Sequence, residues 1–301
     1  MKIKANQIDI EIEDTGPDPA GLARPAVLLI MGLGMQLVAW PPAMVQALVD
    51  EGFRVIRLDN RDIGLSQKFD HLGKPNLVWE SLKYKLGLTV KSPYSLHDMA
   101  ADALAVLDVL QLEKAHVVGV SMGGMIAQRV ALAAPARVLS LTSIMSSSGA
   151  RGLPQAEPRV MRVLMSRPAS SDSASVINHY VRLFRVIGSP GFPLDDAELR
   201  ERIAIGVKRG FHPDGVLRQM MAIVADSRRA AELAGLRVPT LVVHGKADPL
   251  VPFACGEDTA RRIPGASLVG IDGMGHDLPS GVVERVLAPL IPHLQTGRVA
   301  A

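Results

Sequence analysis

One serine lies between closely spaced glycines, where an apolar strand gives way to a helix of small residues. Ser121 follows the apolar run 115–120, and Gly119 and Gly123 stand two residues to either side of it. A serine on so sharp a strand-to-helix turn exposes its hydroxyl, and the glycines avoid collisions with neighbouring elements. The free N–H groups at the start of the helix also favour negative charge beside the serine. The spacing predicts that Ser121 is a nucleophile.

A serine hydroxyl needs a base to accept its proton and a carboxylate to fix the tautomer of that base. Two later turns offer both groups. Asp248 follows the apolar strand 239–244, and His276 follows the strand 267–271. The chain order serine, acid, histidine is the one found where such an elbow carries the nucleophile. We therefore expect His276 to be the base and Asp248 its orienting acid.

Other residues near these turns are weaker candidates. Asp272 and Asp277 lie on the same turn as His276, so Asp248 is preferred as the acid. His244 ends a strand but precedes the acid, and we expect it to line the floor of the site. The remaining histidines lack an accompanying acid in a turn of small residues, which predicts surface or hydrogen-bonded roles: His71, His97, His116, His179, His212 and His293.

Acyl transfer also requires hydrogen-bond donors for the oxyanion of the tetrahedral intermediate. The backbone N–H of Met122, directly after the serine, is one candidate. The glycine-rich turn Gly32-Leu33-Gly34 after an apolar strand offers a second, for which we expect the N–H of Leu33. This turn resembles the start of a dinucleotide-binding fingerprint, but Leu37 occupies the position of the third glycine. No nucleotide, metal or other cofactor is therefore expected.

The elements that must position these residues follow an alternating pattern. Short apolar runs alternate with amphipathic stretches, which is typical of an α/β protein with a mostly parallel sheet. An initial hairpin near residues 2–13 brings the expected number of strands to about eight. The predicted central strands are 26–31, 53–58, 115–120, 138–145, 239–244 and 267–271.

The alternation lapses between the serine and the acid. Residues 150–236 contain helix-like pieces punctuated by proline and serine, with no strong strand. We expect a helical cap subdomain here, and an α/β core formed by residues 1–149 and 237–301; an ordinary irregular excursion is the alternative. The methionines of this block could line an apolar pocket or simply pack its helices: Met161, Met165, Met220 and Met221.

Composition limits the class of protein. The 301 residues are 48% hydrophobic and 21% charged, with a formal net charge of +3, which indicates a folded globular chain. Basic residues form scattered pairs, so nucleic-acid binding is not expected. The single cysteine, Cys255, excludes an internal disulfide and favours a reducing, cytoplasmic location. No apolar stretch is long enough to predict a membrane span, and the alternating residues 1–13 indicate a strand, not a signal peptide.

These motifs resemble those of the α/β-hydrolase superfamily, and in particular capped esterases of the aclacinomycin methylesterase type. The resemblance is strongest in residues 31–40, 57–66, 116–124 and 273–279. It implies an α/β-hydrolase fold with flanking helices and an inserted cap. It also implies a triad of Ser121, Asp248 and His276, with Leu33 and Met122 as oxyanion donors. Many relatives carry histidine where this chain has Met31.

The expected function is that of a serine hydrolase cleaving carboxylic esters through an acyl-enzyme, without a cofactor, on a small apolar ester. Two alternatives use the same triad: a perhydrolase and a carbon–carbon bond hydrolase. A third alternative is a ligand receptor of the same fold without turnover.

Overall fold

The computed structural model describes residues 1–17, 24–86, 88–226 and 228–296. Eight strands lie within these residues, and each of the six predicted central strands is present within one residue of its predicted bounds. The strands are β1 Lys2–Ala5, β2 Ile8–Asp14, β3 Ala26–Ile30, β4 Arg54–Leu58, β5 Ala115–Val120, β6 Val138–Ile144, β7 Thr240–Gly245 and β8 Ser267–Ile271.

The eight strands form one sheet in the order β1-β2-β4-β3-β5-β6-β7-β8. The predicted hairpin of β1 and β2 is antiparallel, as is the pairing of β2 with β4. All other pairings are parallel. The carboxyl ends of β3, β5, β7 and β8 therefore meet at one edge, which is where ligands bind in parallel α/β sheets.

The described helices begin and end where local sequence signals favour it. Ser95 caps the helix Leu96–Val109 through a reciprocal capping box with Asp98, and Pro42 occupies the first turn of the helix Pro42–Asp50. The helices are α1 Pro42–Asp50, α2 Leu77–Lys85, α3 Leu96–Val109, α4 Met122–Ala133, α5 Pro158–Leu164, α6 Ser173–Ile187, α7 Asp196–Arg209, α8 Pro213–Ala225, α9 Arg229–Glu232, α10 Phe253–Arg262 and α11 Ser280–Thr296.

Both faces of the sheet are covered by helices. Along β3, Leu28 and Ile30 pack towards α3 and α4, whereas Val27 and Leu29 pack towards α1 and α11. All four side chains are fully buried, as expected for a central strand with a core on each face. The fold class predicted from the sequence is confirmed.

The stretch between β6 and β7 contains five helices, α5–α9, and no strand among its described residues. A small cluster of Val181, Leu199 and Ile203 joins α6 to α7. The helical content agrees with the pattern in the sequence, and the division into a core and a cap stays a prediction. No helix in the described ranges combines the length and apolar character needed to cross a bilayer.

Candidate active site

Ser121 lies on a strained turn between β5 and α4. Its backbone has φ 56° and ψ −121°, a left-handed conformation that a non-glycine residue adopts at a cost. A side chain at Gly119 would place its Cβ 2.1 Å from the carbonyl oxygen of Gly123, and one at Gly123 would lie 2.0 Å from that of Ile30. The flanking glycines are therefore required by close backbone contact, and the serine side chain remains partly exposed.

His276 lies between Ser121 and Asp248. Its Nε2 is 3.0 Å from the Oγ of Ser121, and its Nδ1 is 2.7 Å from the Oδ2 of Asp248. The three residues come from the ends of three different strands and are separated by up to 155 positions in the chain. The structure thus brings together the three side chains that the sequence singled out.

The carboxylate of Asp248 is held by its own turn. Its Oδ1 accepts hydrogen bonds from the backbone N–H groups of Leu250 and Val251, at 2.9 and 2.8 Å. Its Oδ2 is thereby left facing the imidazole of His276. This arrangement fixes one carboxylate oxygen and presents the other, which favours the tautomer of His276 with its proton on Nδ1.

His244 lies beneath the same turn, where its position at the end of β7 places it. It is fully buried, and its Nε2 donates to the carbonyl oxygen of Val251 at 2.7 Å. Its Nε2 also lies 3.6 Å from the Oδ2 of Asp248. Burial lowers the pKa of His244 below its ordinary value of 6.5, which favours the neutral form of the ring. His244 supports the turn that carries Asp248.

The two weaker acid candidates lie in different surroundings. Asp272 is 87% exposed and pairs with Lys246 at 3.0 Å. Asp277 accepts a hydrogen bond from the hydroxyl of Ser189 at 2.5 Å, and burial raises its pKa. The ring of His276 instead contacts Asp248 through Nδ1 and Ser121 through Nε2.

The two segments that carry the predicted oxyanion donors, the turn at Leu33 and the start of α4, adjoin Ser121. The Cβ of a side chain at Gly32 would be 3.1 Å from the Cβ of Ser121, so the turn containing Leu33 abuts the nucleophile. Met122 is the first residue of α4, where N–H groups have no partner within the helix. The neighbouring N–H of Gly34 donates to the buried amide of Gln219 on α8.

The charged turn at 59–66 connects the edge of the sheet to helices α7 and α8. The carboxylate of Asp59 accepts from the backbone N–H of Leu37 at 2.8 Å and pairs with Arg209 of α7. Asp62 pairs with Arg218 of α8 at 2.7 Å, with both side chains almost fully buried. These ion pairs connect the turn to two helices of the stretch between β6 and β7.

An apolar cavity lies between the turn at Gly34 and helices α6–α8. The aromatic rings of Tyr180, Phe184 and Phe211 line it, together with aliphatic side chains of α7 and α8. None of the four methionines suggested by the sequence lines this cavity. Met161 and Met165 are exposed, so part of the apolar surface at α5 faces solvent. Met221 of α8 is fully buried and packs in the interior.

The described residues contain no group of three or more His, Cys, Asp or Glu side chains placed to hold a metal ion.

Comparisons with known proteins agree with this architecture. A family model described as the alpha/beta hydrolase fold matches residues 25–279. The chain is 32% identical to rhodomycin D methylesterase of Streptomyces peucetius, over 93% of this chain and 95% of that protein. It is 28% identical to a putative carbamate hydrolase of a Caulobacter species, over 81% of each chain.

Solved structures add evidence on the fold alone. A meta-cleavage product hydrolase of Pseudomonas fluorescens superposes with a TM-score of 0.74 at 19% identity, covering 98% of this chain and 97% of that one. An esterase of Thermogutta terrifontis gives a TM-score of 0.67 at 23% identity, covering 98% of both chains. The family match over most of the chain and the similarity to the methylesterase confirm the resemblance read from the motifs: this chain belongs to the α/β-hydrolase family.

Proposed function

We propose that this protein is a serine hydrolase that cleaves carboxylic esters through an acyl-enzyme intermediate. The observation that carries the proposal is the placement of His276, whose two ring nitrogens lie 3.0 Å from the Oγ of Ser121 and 2.7 Å from the Oδ2 of Asp248. Nucleophile, base and orienting acid must stand in this mutual geometry for acyl transfer. Similarity along the chain to a methylesterase supports the choice of an ester.

In the first half-reaction, the Oγ of Ser121 attacks the ester carbonyl carbon while its proton passes to the Nε2 of His276. Asp248 holds Nδ1 and stabilises the imidazolium that forms. The N–H groups of Leu33 and Met122 donate to the oxyanion. The carbon–oxygen bond to the alcohol then breaks, and the alcohol leaves with the proton from Nε2.

In the second half-reaction, water takes the place of the alcohol. His276 accepts a proton from the water as its oxygen attacks the acyl carbon of the enzyme ester. Collapse of this second intermediate releases the carboxylic acid and returns the proton to Ser121. The cycle needs no group beyond the chain, the ester and water.

We also propose that residues 150–236 act as a cap that shapes the substrate site above the core of residues 1–149 and 237–301. The rings of Tyr180, Phe184 and Phe211 come from this block and line the cavity beside the turn at Gly34. Such a lining favours an apolar portion of a small-molecule ester.

The single cysteine, Cys255, is buried and forms no disulfide, which supports a cytoplasmic location.

Labelling with a fluorophosphonate probe, together with hydrolysis of p-nitrophenyl esters of increasing chain length, tests the function. We expect the native protein to be labelled and to turn over at least one ester. Ser121→Ala should abolish labelling and lower kcat by roughly 10⁴ or more, since the covalent path is lost. Ser166→Ala, at an exposed serine, is the matched control. Retention of more than a tenth of native turnover in Ser121→Ala would refute the nucleophile assignment.

A further inference from the structure

The loop that carries His276 is bonded to the segment that follows α6. The backbone N–H of His276 donates to the carbonyl oxygen of Ile187 at 2.7 Å. The N–H of Gly191 donates to the carbonyl oxygen of Gly273 at 2.9 Å. Residues 187–191 belong to the stretch between β6 and β7, so an inserted segment directly contacts the backbone of the proposed base.

Ser189 adds two side-chain hydrogen bonds at the centre of this contact. Its hydroxyl oxygen accepts from the N–H of Gly275 at 2.8 Å and its hydroxyl proton is donated to the Oδ1 of Asp277 at 2.5 Å. Gly275 and Asp277 are the two chain neighbours of His276. A single hydroxyl group therefore holds the chain on both sides of the histidine, and Ser189 is only 4% exposed.

Close backbone packing leaves the segment little freedom to shift. A Cβ at Gly275 would lie 2.3 Å from the carbonyl oxygen of Gly188, and one at Gly191 would lie 2.9 Å from the Cα of Gly273. Phe192, the next residue, anchors the segment, because its ring packs against Gly281 at the start of α11 and joins the core on that face of the sheet. The loop and the segment form one packed unit.

We propose that Ser189 is a positioning residue for His276, and that the inserted segment 187–191 keeps the imidazole aligned between Ser121 and Asp248. This inference rests on the proposed function. Ser189 acts through the backbone of the histidine loop. A displacement of about 1 Å in a reacting group is enough to lower turnover by 10²-fold.

The test compares Ser189→Ala with native protein in single-turnover and steady-state assays. We expect Ser189→Ala to lower kcat and the rate of fluorophosphonate labelling by the same factor, between about 10- and 100-fold. KM should stay within about twofold, since the hydroxyl does not contact the substrate. Ser189→Thr, which keeps the hydroxyl, should restore most of the labelling rate. Ser166→Ala is the control for a serine substitution in the same stretch.

A merely structural role would lower the melting temperature of Ser189→Ala and leave the kcat of the folded fraction unchanged, and that result would overturn the proposal. Should Ser189→Ala fail to fold, Asp277→Ala removes one of the two partners of the hydroxyl and should give a smaller loss of labelling rate. Asp277→Ala labelled at the native rate would also overturn it. The proposed function fails separately, if the native protein is not labelled at all.

Discussion

At the scale of single residues, the proposed triad depends on which carboxylate faces His276. Asp248→Asn is expected to lower kcat by about 10⁴, because an amide no longer selects the imidazole tautomer that accepts the serine proton. The hydrogen bonds from Leu250 and Val251 to Oδ1 can persist in this variant, so its fold should be kept. Steady-state kinetics on an accepted ester, with circular dichroism as the check of folding, measure the effect.

Asp272→Asn is the matched control for this substitution. Asp272 is close to His276 in the chain but 87% exposed and paired with Lys246. We expect the kcat of Asp272→Asn to remain within about threefold of the native value, as for most surface substitutions. Asp272→Asn being as damaging as Asp248→Asn would show that the orienting acid has been misassigned.

The site residues differ in how far the sequence alone could predict them. Ser121, Asp248 and His276 each follow an apolar strand within a turn of small residues. Local sequence pattern and chain order were therefore enough to select them as candidates. Ser189 carries no such signal. Its partner Gly275 lies 86 positions away, and only the packing of α6 against the histidine loop brings the two together.

At the scale of elements, the central strands could be predicted because burial on both faces demands continuous apolar runs. The residues that line the cavity could not be predicted in this way, because an amphipathic helix has an apolar stripe whether it faces a pocket or a core. Thus the methionines of the inserted stretch were reasonable candidates, yet the lining rings come from α6 and from the turn before α8.

A substitution at Phe211 tests whether this cavity determines which chain length of ester is preferred. Phe211→Ala removes a ring that packs edge-on against Tyr180, with 6.1 Å between ring centroids, and enlarges the cavity beside Gly34. We expect kcat/KM for long-chain esters to rise relative to short-chain esters by at least about threefold, since each buried methylene contributes roughly 1 kcal/mol. The ratio is measured across a series of p-nitrophenyl esters.

Ile205→Ala serves as its control, because Ile205 is 51% exposed and lies outside the cavity lining. This variant should leave the ratio unchanged. An equal ratio in Phe211→Ala, Ile205→Ala and native protein would mean that the cavity plays no part in chain-length preference.

At the scale of the whole molecule, we expect the buried His179 and His244 and the half-buried His293 to make the free energy of unfolding depend on pH. Burial lowers the pKa of His179, His244 and His293 below their ordinary value of 6.5. Well above pH 6.5 these rings are neutral in the folded and unfolded chains, so their contribution to stability is fully present. As the pH falls below 6.5 the unfolded chain binds protons first, and the free energy of unfolding decreases by up to about 1.4 kcal/mol per pH unit for each ring.

Urea unfolding between pH 7.5 and 5.5 measures this slope. His179→Phe should flatten it, and costs no hydrogen bond at Nδ1, which has no partner among the described residues. Ser166→Ala, at an exposed residue that does not titrate, should leave the slope unchanged. Asp102 and Asp277, whose pKa values are raised by burial from 3.8, act in the opposite direction at lower pH. An equal free energy of unfolding for the native protein at pH 7.5 and pH 5.5 would contradict this prediction.

The left-handed backbone of Ser121 bears on the stability of the entire chain. Holding a non-glycine residue there costs on the order of 1–3 kcal/mol, against a net stability of about 5–15 kcal/mol for a typical domain. Glycine adopts this conformation without the penalty. Ser121→Gly should therefore unfold at a higher temperature than Ser121→Ala, which keeps the strain. If Ser121 is the nucleophile, selection for turnover and selection for a robust fold oppose each other at this one position.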